Sequence, residues 1–215
     1  MTTNKEIAKL HFITTDHPDI SHADQAIRAY KAGGKWVQLR MKDISADEIE
    51  KEVRKIRPVA KAYNAVLLIN DHTEIVLRTG AHGVHLGKND MSPIEAREIL
   101  GHEYIIGGTA NTLEEVICLI ENGVDYVGLG PYRFTTTKKK LSPTLGKEGY
   151  AQILTELKIL NLKMPIIAIG GILDSDIENL METGICGIAA AGAIMVGNAI
   201  ETNIQIYQQL IHSRK

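Results

Sequence analysis

Eight short apolar runs punctuate the chain, at residues 10–14, 36–39, 66–69, 83–86, 104–107, 126–129, 166–169 and 187–191. Each is continuous rather than alternating, the pattern of a parallel strand buried on both faces. Between them lie longer segments whose apolar positions recur every three or four residues, the spacing of one helix face. Ile49, Val53 and Ile56 mark such a face in 46–63, Val116, Ile117 and Ile120 in 113–121, and Ile204, Tyr207, Leu210 and Ile211 in 199–212. The same reading gives helices at 22–32, 73–79, 93–100, 149–160 and 175–183. Ser45, Ser92 and Asp174 stand where side-chain oxygens cap free amides, and Gly80, Gly123 and Gly184 stand where helices close.

A self-similar phrase marks three junctions: Thr79-Gly80-Ala81-His82-Gly83-Val84, Asn122-Gly123-Val124-Asp125-Tyr126-Val127 and Thr183-Gly184-Ile185-Cys186-Gly187-Ile188. In each, glycine ends a helix, a few residues turn, and a strand begins. Eight such units in 215 residues predict a single (β/α)8 TIM barrel over 1–215, with a doubly wound open sheet as the competing arrangement.

Composition narrows the function classes. The formal net charge is −2, from 24 Lys and Arg against 26 Asp and Glu, too even for a surface that coats nucleic acid. No apolar run approaches the ~20 residues of a membrane span, and the start is polar, so the expectation is a cytoplasmic protein with no nucleic-acid or membrane partner. Cys118 and Cys186 cannot make a disulfide framework and read as small buried fillers. Aromatic residues are 5% of the chain, which leaves an aliphatic core.

In a barrel of this kind, chemistry belongs at the C-terminal ends of the strands. The second strand ends Gln38-Leu39-Arg40-Met41-Lys42, and alternation puts Gln38, Arg40 and Lys42 on one face. Cations converging there call for an anion. Strand three runs into Asn70-Asp71 and strand four into Gly87-Lys88-Asn89-Asp90. A helix cap explains either Asp alone; the two together suit Mg²⁺, which takes few protein carboxylates and shares its site with water and substrate phosphates. The fifth strand is read as ending in Gly107-Gly108, with Thr109 offering a hydroxyl or a cap. The longest loop, 130–143, carries Thr135, Thr136, Thr137, Lys138, Lys139 and Lys140. It suits an anion-gripping lid, although a lysine triplet alone is more simply a solvated turn. Gly170-Gly171 and Ala191-Gly192 fall in the last two units, where barrels often cradle a phosphate on backbone amides. His85, between Val84 and Leu86, reads as a hydrogen-bonded structural histidine. Two anion sites, one cationic with a divalent metal and one of backbone, predict a pair of phosphorylated substrates.

Taken in order, these motifs resemble the thiamine phosphate synthase family from Leu10 to Ile194, including Gly83-Val84-His85-Leu86-Gly87 and Ala168-Ile169-Gly170-Gly171-Ile172. The resemblance implies a Mg²⁺-dependent transferase that joins hydroxymethylpyrimidine diphosphate to thiazole phosphate, or its carboxylate, releasing pyrophosphate. It implies that Gln38, Arg40, Lys42, Asn70, Thr109 and Lys138 hold the diphosphate, with Leu39 and Met41 in the same segment. Asp71 and Asp90 would bind the metal, and Thr135, Thr136, Thr137, Gly171, Ala191 and Gly192 would border the thiazole phosphate. Arg40, Lys42, Lys138 and Thr109 would carry the catalytic roles. Loop closure over residues 134–140 would keep water from a pyrimidine methylene cation formed by dissociative departure of the diphosphate. Family members often carry serine where this chain has Thr109 and Gly192. Two other readings are a thiazole tautomerase, against which stands the absence of histidine in Thr109-Ala110-Asn111, and a non-catalytic thiamine phosphate-binding protein. Homo-oligomerisation is left open.

Overall fold

The structure, a computed structural model, describes residues 5–134 and 144–213. Its eight strands are β1 (Leu10–Ile13), β2 (Trp36–Leu39), β3 (Val66–Asn70), β4 (Gly83–Leu86), β5 (Ile105–Ala110), β6 (Tyr126–Leu129), β7 (Ile166–Ala168) and β8 (Gly187–Ala190). Each pairs in parallel with the next, and β8 returns to β1 through Leu10 opposite Ile188 and Phe12 opposite Ala190, closing the barrel. The open-sheet alternative is thereby set aside. Around it run α1 (His22–Lys31), α2 (Ala46–Ala62), α3 (Thr73–Thr79), α4 (Pro93–Leu100), α5 (Leu113–Glu121), α6 (Gly146–Ile159), α7 (Ile177–Glu182), α8 (Gly192–Met195) and α9 (Ile200–His212).

The continuous apolar runs resolve into two inward and outward sets. Phe12, Val37, Leu39, Leu67, Ile69, Val84, Val127, Leu129 and Ile188 face the helices and join their buried stripes in one core. Trp36, Leu68, Ile105, Tyr126, Ile167 and Ala189 pack together inside the barrel. His11 joins them, stacked on Trp36 at 4.3 Å between ring centres and edge-on to Tyr126 at 5.1 Å. Full burial, with His85 adding to it, drives the His11 imidazole down to about 3, so it is neutral at physiological pH.

The helices start where their caps place them. Ser21, Ser45 and Ser92 each accept an amide from three residues on, and Ser92 with Glu95 makes a reciprocal capping box. Each such cap is worth about 1 kcal/mol.

Four expectations are corrected. β5 runs on to Ala110 rather than stopping at Gly107, because Thr109 and Ala110 still pair with Gly128 and Leu129. α6 begins three residues early, at Gly146. The segment 175–183 is a 3-10 turn, Asp174–Asp176, followed by the shorter α7. Cys118 is exposed and Cys186 half-buried, so neither is a fully buried filler.

Candidate active site

Inward-facing positions change character along the barrel axis. The layer holding Trp36 and Tyr126 is aromatic and aliphatic; one step toward the C-terminal ends it becomes polar. Gln38 on β2 and Asn70 on β3 are both buried, and the Gln38 amide donates to Asn70 Oδ1 at 2.7 Å. His85 on β4 bridges Tyr126 Oη at 2.8 Å and Thr109 Oγ1 at 2.9 Å. Thr109 is therefore an inward strand residue, and the hydroxyl that caps α5 belongs to Thr112. Buried polar groups persist only when paired, and this layer is paired across β2–β3 and β4–β5–β6.

Beyond that layer lie the charged residues. β2 ends at Leu39, and the Arg40 amide donates to Thr14 Oγ1 at 3.0 Å, which anchors the segment carrying Arg40 and Lys42 to the end of β1. The same hydroxyl lies 2.7 Å from His22 Nδ1. The Leu39 and Met41 side chains turn outward into the helix-packed core, so this pair presents backbone rather than side chain to the rim. Lys42 reaches back to Asp71, Nζ to Oδ2 3.6 Å. Asp71 has left-handed backbone, φ +67°, and its amide donates to the His85 carbonyl at 2.9 Å. A non-glycine residue in that conformation stores strain that the surroundings must sustain, a recurrent feature of functional sites.

Asp90 stands near enough to Asp71 to act on its carboxyl. Burial first, and then the Asp90 carboxylate, push Asp71 up to about 6, while Lys42 opposes the shift. Asp90 is itself held by the Gly87 amide, which donates to Oδ2 at 2.7 Å. Two carboxylates this close repel unless a proton or a cation stands between them. Among the described residues no cluster of three or more acidic, histidine or cysteine groups forms a self-contained metal cage. A pair of acids open to the rim fits Mg²⁺, which keeps waters and takes substrate oxygens, better than it fits a site closed by protein ligands.

The opposite side of the rim is built by the loops after β6 and β7. The Tyr132 amide donates to Ile169 O at 2.9 Å and the Arg133 amide to Gly170 O at 3.1 Å. Arg133 also pairs with Asp176 at 2.5 Å. Gly171 has φ +70°, and a Cβ there would come within 2.5 Å of Arg133 Cγ, so this turn admits glycine alone. α8 starts at Gly192, directly after Ala191, with open space among the described residues where a side chain would emerge. Thr135, Thr136, Thr137, Lys138, Lys139 and Lys140 lie outside the described residues.

Sequence reasoning thus reached the strand ends but missed the groups that hold them. Thr14 and His22 fix the Arg40 backbone, Tyr126 anchors His85, and Asp176 fixes Arg133. Apart from the local His22–Thr14 contact, each joins residues at least 26 positions apart in the chain. The one local signal was Tyr126, an aromatic at an inward strand position in an aromatic-poor sequence.

A closed parallel barrel that brings acids, a lysine and a polar inner layer to its C-terminal rim is an enzyme of the (β/α)8 class. The thiamine monophosphate synthase family matches residues 10–194. A thiamine-phosphate synthase of Phocaeicola vulgatus is 51% identical over 187 residues, 87% of this chain and 90% of that protein. Another, of Bacteroides fragilis, is 48% identical over 186 residues, 86% of this chain and 91% of that protein. Among solved structures, thiamine phosphate pyrophosphorylase from Pyrococcus furiosus superposes with a TM-score of 0.84 at 27% identity, covering 95% of this chain and 96% of that one. The chain belongs to the thiamine monophosphate synthase family. No helix among the described residues is long and apolar enough to cross a membrane.

Proposed function

We propose that the chain is a transferase that joins a hydroxymethylpyrimidine diphosphate to thiazole phosphate, yielding thiamine phosphate and pyrophosphate. The observation that carries the reading is the meeting of Lys42, Asp71 and Asp90 at one rim, in a chain about half identical to proteins named for that reaction. Asp71 and Asp90 would hold a Mg²⁺ ion, which would supply Lewis-acid neutralisation of the departing diphosphate.

The remaining work falls to the chain's own groups. Lys42 and Arg40, mounted on a segment pinned by Thr14, present positive charge toward the diphosphate as its bridging bond to the methylene breaks. Asn70, whose carbonyl is engaged by Gln38, keeps its amide hydrogens as donors. Thr109 adds a hydroxyl from the β5 side, and Lys138 would complete the positive arc. The thiazole phosphate would sit at Gly171 and Ala191-Gly192, with Thr135, Thr136 and Thr137 beside it. Holding the thiazole nitrogen beside the methylene turns a bimolecular encounter into a local one, a gain that reaches ~7–11 kcal/mol in well-oriented systems. No described feature favours the tautomerase or the non-catalytic binder.

The test is pyrophosphate release from the two purified precursors. The reading expects release only when Mg²⁺, the pyrimidine diphosphate and the thiazole phosphate are all present. Release that ignores the thiazole phosphate, or none at all, overturns it.

A further inference from the structure

Inside the barrel a chain of three side chains connects the dry aromatic layer to the rim: Tyr126 Oη to His85 Nδ1 at 2.8 Å, then His85 Nε2 to Thr109 Oγ1 at 2.9 Å. Its space is purpose-made. A Cβ on Gly107 would fall 2.2 Å from the Tyr126 ring and 2.5 Å from its oxygen, and one on Gly128 would press His85 at 3.1 Å. Alanine at Gly107 would expel the phenol from this position. Tyr126 is further clamped edge-on by His11 and by Trp36, at 5.1 and 5.7 Å. Its burial is complete and keeps the phenol protonated, well above its ordinary range.

Hydrogen counting gives the column a direction. Among the described residues, Tyr126 Oη has one polar partner, His85 Nδ1. The phenol's single proton is therefore satisfied only by donation to that nitrogen, because a buried hydroxyl donor left unmade is costly. A neutral imidazole that accepts at Nδ1 carries its hydrogen on Nε2, and Nε2 then donates to Thr109 Oγ1. With an oxygen lone pair so occupied, the Thr109 hydroxyl keeps its own proton to donate elsewhere. Thr109 is half-buried at the mouth of the barrel, where the rim begins.

We infer that Tyr126 and His85 are positioning residues: through the Nε2–H tautomer of His85 they turn the Thr109 hydroxyl into an obligate donor facing an acceptor atom of the bound pyrimidine diphosphate. The opposite tautomer would draw the Thr109 proton down onto Nε2 and offer the substrate only lone pairs, which repel a phosphate oxygen. The inference rests on the proposed reading that Thr109 borders the diphosphate, and it adds the device that aims the hydroxyl.

The test combines a spectrum with a double-mutant cycle, using the full-length enzyme. Nitrogen NMR of His85 should show a pyrrole-type Nε2 and a pyridine-type Nδ1, and Tyr126→Phe should erase that preference while keeping the ring. Tyr126→Phe is expected to lower kcat/KM for the pyrimidine diphosphate by about 3- to 10-fold, the scale of one hydrogen bond, with KM for the thiazole phosphate unmoved. In a Thr109→Ala background the same change should cost nothing further, because its route is already cut. His85→Gln, which keeps a donor near Nε2, should retain more activity than His85→Leu. Full additivity of Tyr126→Phe and Thr109→Ala overturns the inference, as does a pyridine-type Nε2. If Thr109→Ala alone leaves all rates unchanged while the tautomer stands as described, the failure lies in the role of Thr109 at the diphosphate and the inference falls with it.

Discussion

The two ends of the barrel handle charge in opposite ways. At the N-terminal end Asp125, just before β6, accepts from Lys5 at 3.0 Å, Arg97 at 2.8 Å and the Ile106 amide at 2.7 Å. The spare hydrogens of both cations go to carbonyls: Lys5 and Arg97 each donate to Tyr104 O, and Arg97 also to Gly101 O and Gly123 O. Every charge there faces its opposite, and the cluster ties the segment before β1 to α4, β5 and β6. At the C-terminal end two carboxylates face each other and one lysine stands 3.6 Å off. Among the described residues the bottom cluster pairs its acid with two cations, whereas the rim sets two acids against a single lysine. That division matches the rule that barrel chemistry sits at strand C-termini and barrel stability at the other face, and it shows the rule operating through charge pairing.

The comparison can be broken by exchanging the expected consequences of mutation. Asp71→Asn should lower pyrophosphate release on the order of 10²–10³-fold, as removal of one preorganised electrostatic partner does elsewhere, yet leave the unfolding midpoint equal or higher, since it relieves a like-charge contact. Asp125→Ala should do the reverse. Leaving Lys5 and Arg97 unpaired in a partly buried cluster is expected to cost about 2–4 kcal/mol in urea unfolding, with kcat at a permissive temperature unchanged. A destabilised Asp71 variant with normal turnover, or an inactive but stable Asp125 variant, would break the assignment of roles.

A pH series sharpens the account of the interior. His11 titrates at about 3 in the folded chain against an ordinary 6.5, so between those values the unfolded chain binds a proton that the native one refuses. Stability from this group is intact above pH 6.5 and falls as pH drops below it, by about 1.4 kcal/mol per pH unit once the difference is a full proton. His82, held low by burial and the nearby Arg57 while its Nδ1 accepts the Leu67 amide, pulls in the same direction. Asp71, raised from 3.8 to about 6, pulls oppositely between those values. Urea midpoints against pH in the Asp71→Asn variant should therefore fall more steeply below 6.5 than in the wild type, and adding His11→Phe should flatten the curve. The smallest effect belongs to the backbone side of the rim. Gly192→Ser, entering open space at the start of α8, should lower KM for thiazole phosphate about 2- to 5-fold by one added hydroxyl, with kcat little changed.

Much of this was legible in the chain. Eight continuous apolar runs gave all eight strands, and a serine or glycine at a junction usually gave the helix end, as at Ser92 and Gly80. Glycine was also where the reading slipped. Gly107-Gly108 reads as the end of the fifth strand, but the pair sits inside β5, and the Tyr126 ring and the Leu119 side chain occupy the space of its missing side chains. Turn chemistry and close approach use the same residue, and only the tertiary neighbour tells them apart. At the site, Lys42, Asp71 and Asp90 were readable because they flank strand ends in a repeating unit. Thr14, His22 and Asp176 were not, since a hydroxyl holding an amide 26 residues away leaves no periodic trace.

The most direct measurement is calorimetric titration of Mg²⁺, in the presence of pyrophosphate, into three proteins: wild type, Asp71→Asn and Asp125→Ala. If the rim acids are a cation site kept open by the fold, Asp125→Ala binds as the wild type does and Asp71→Asn binds at least about ten-fold more weakly, the loss of a charge-assisted contact. Equal binding by wild type and Asp71→Asn would contradict the account.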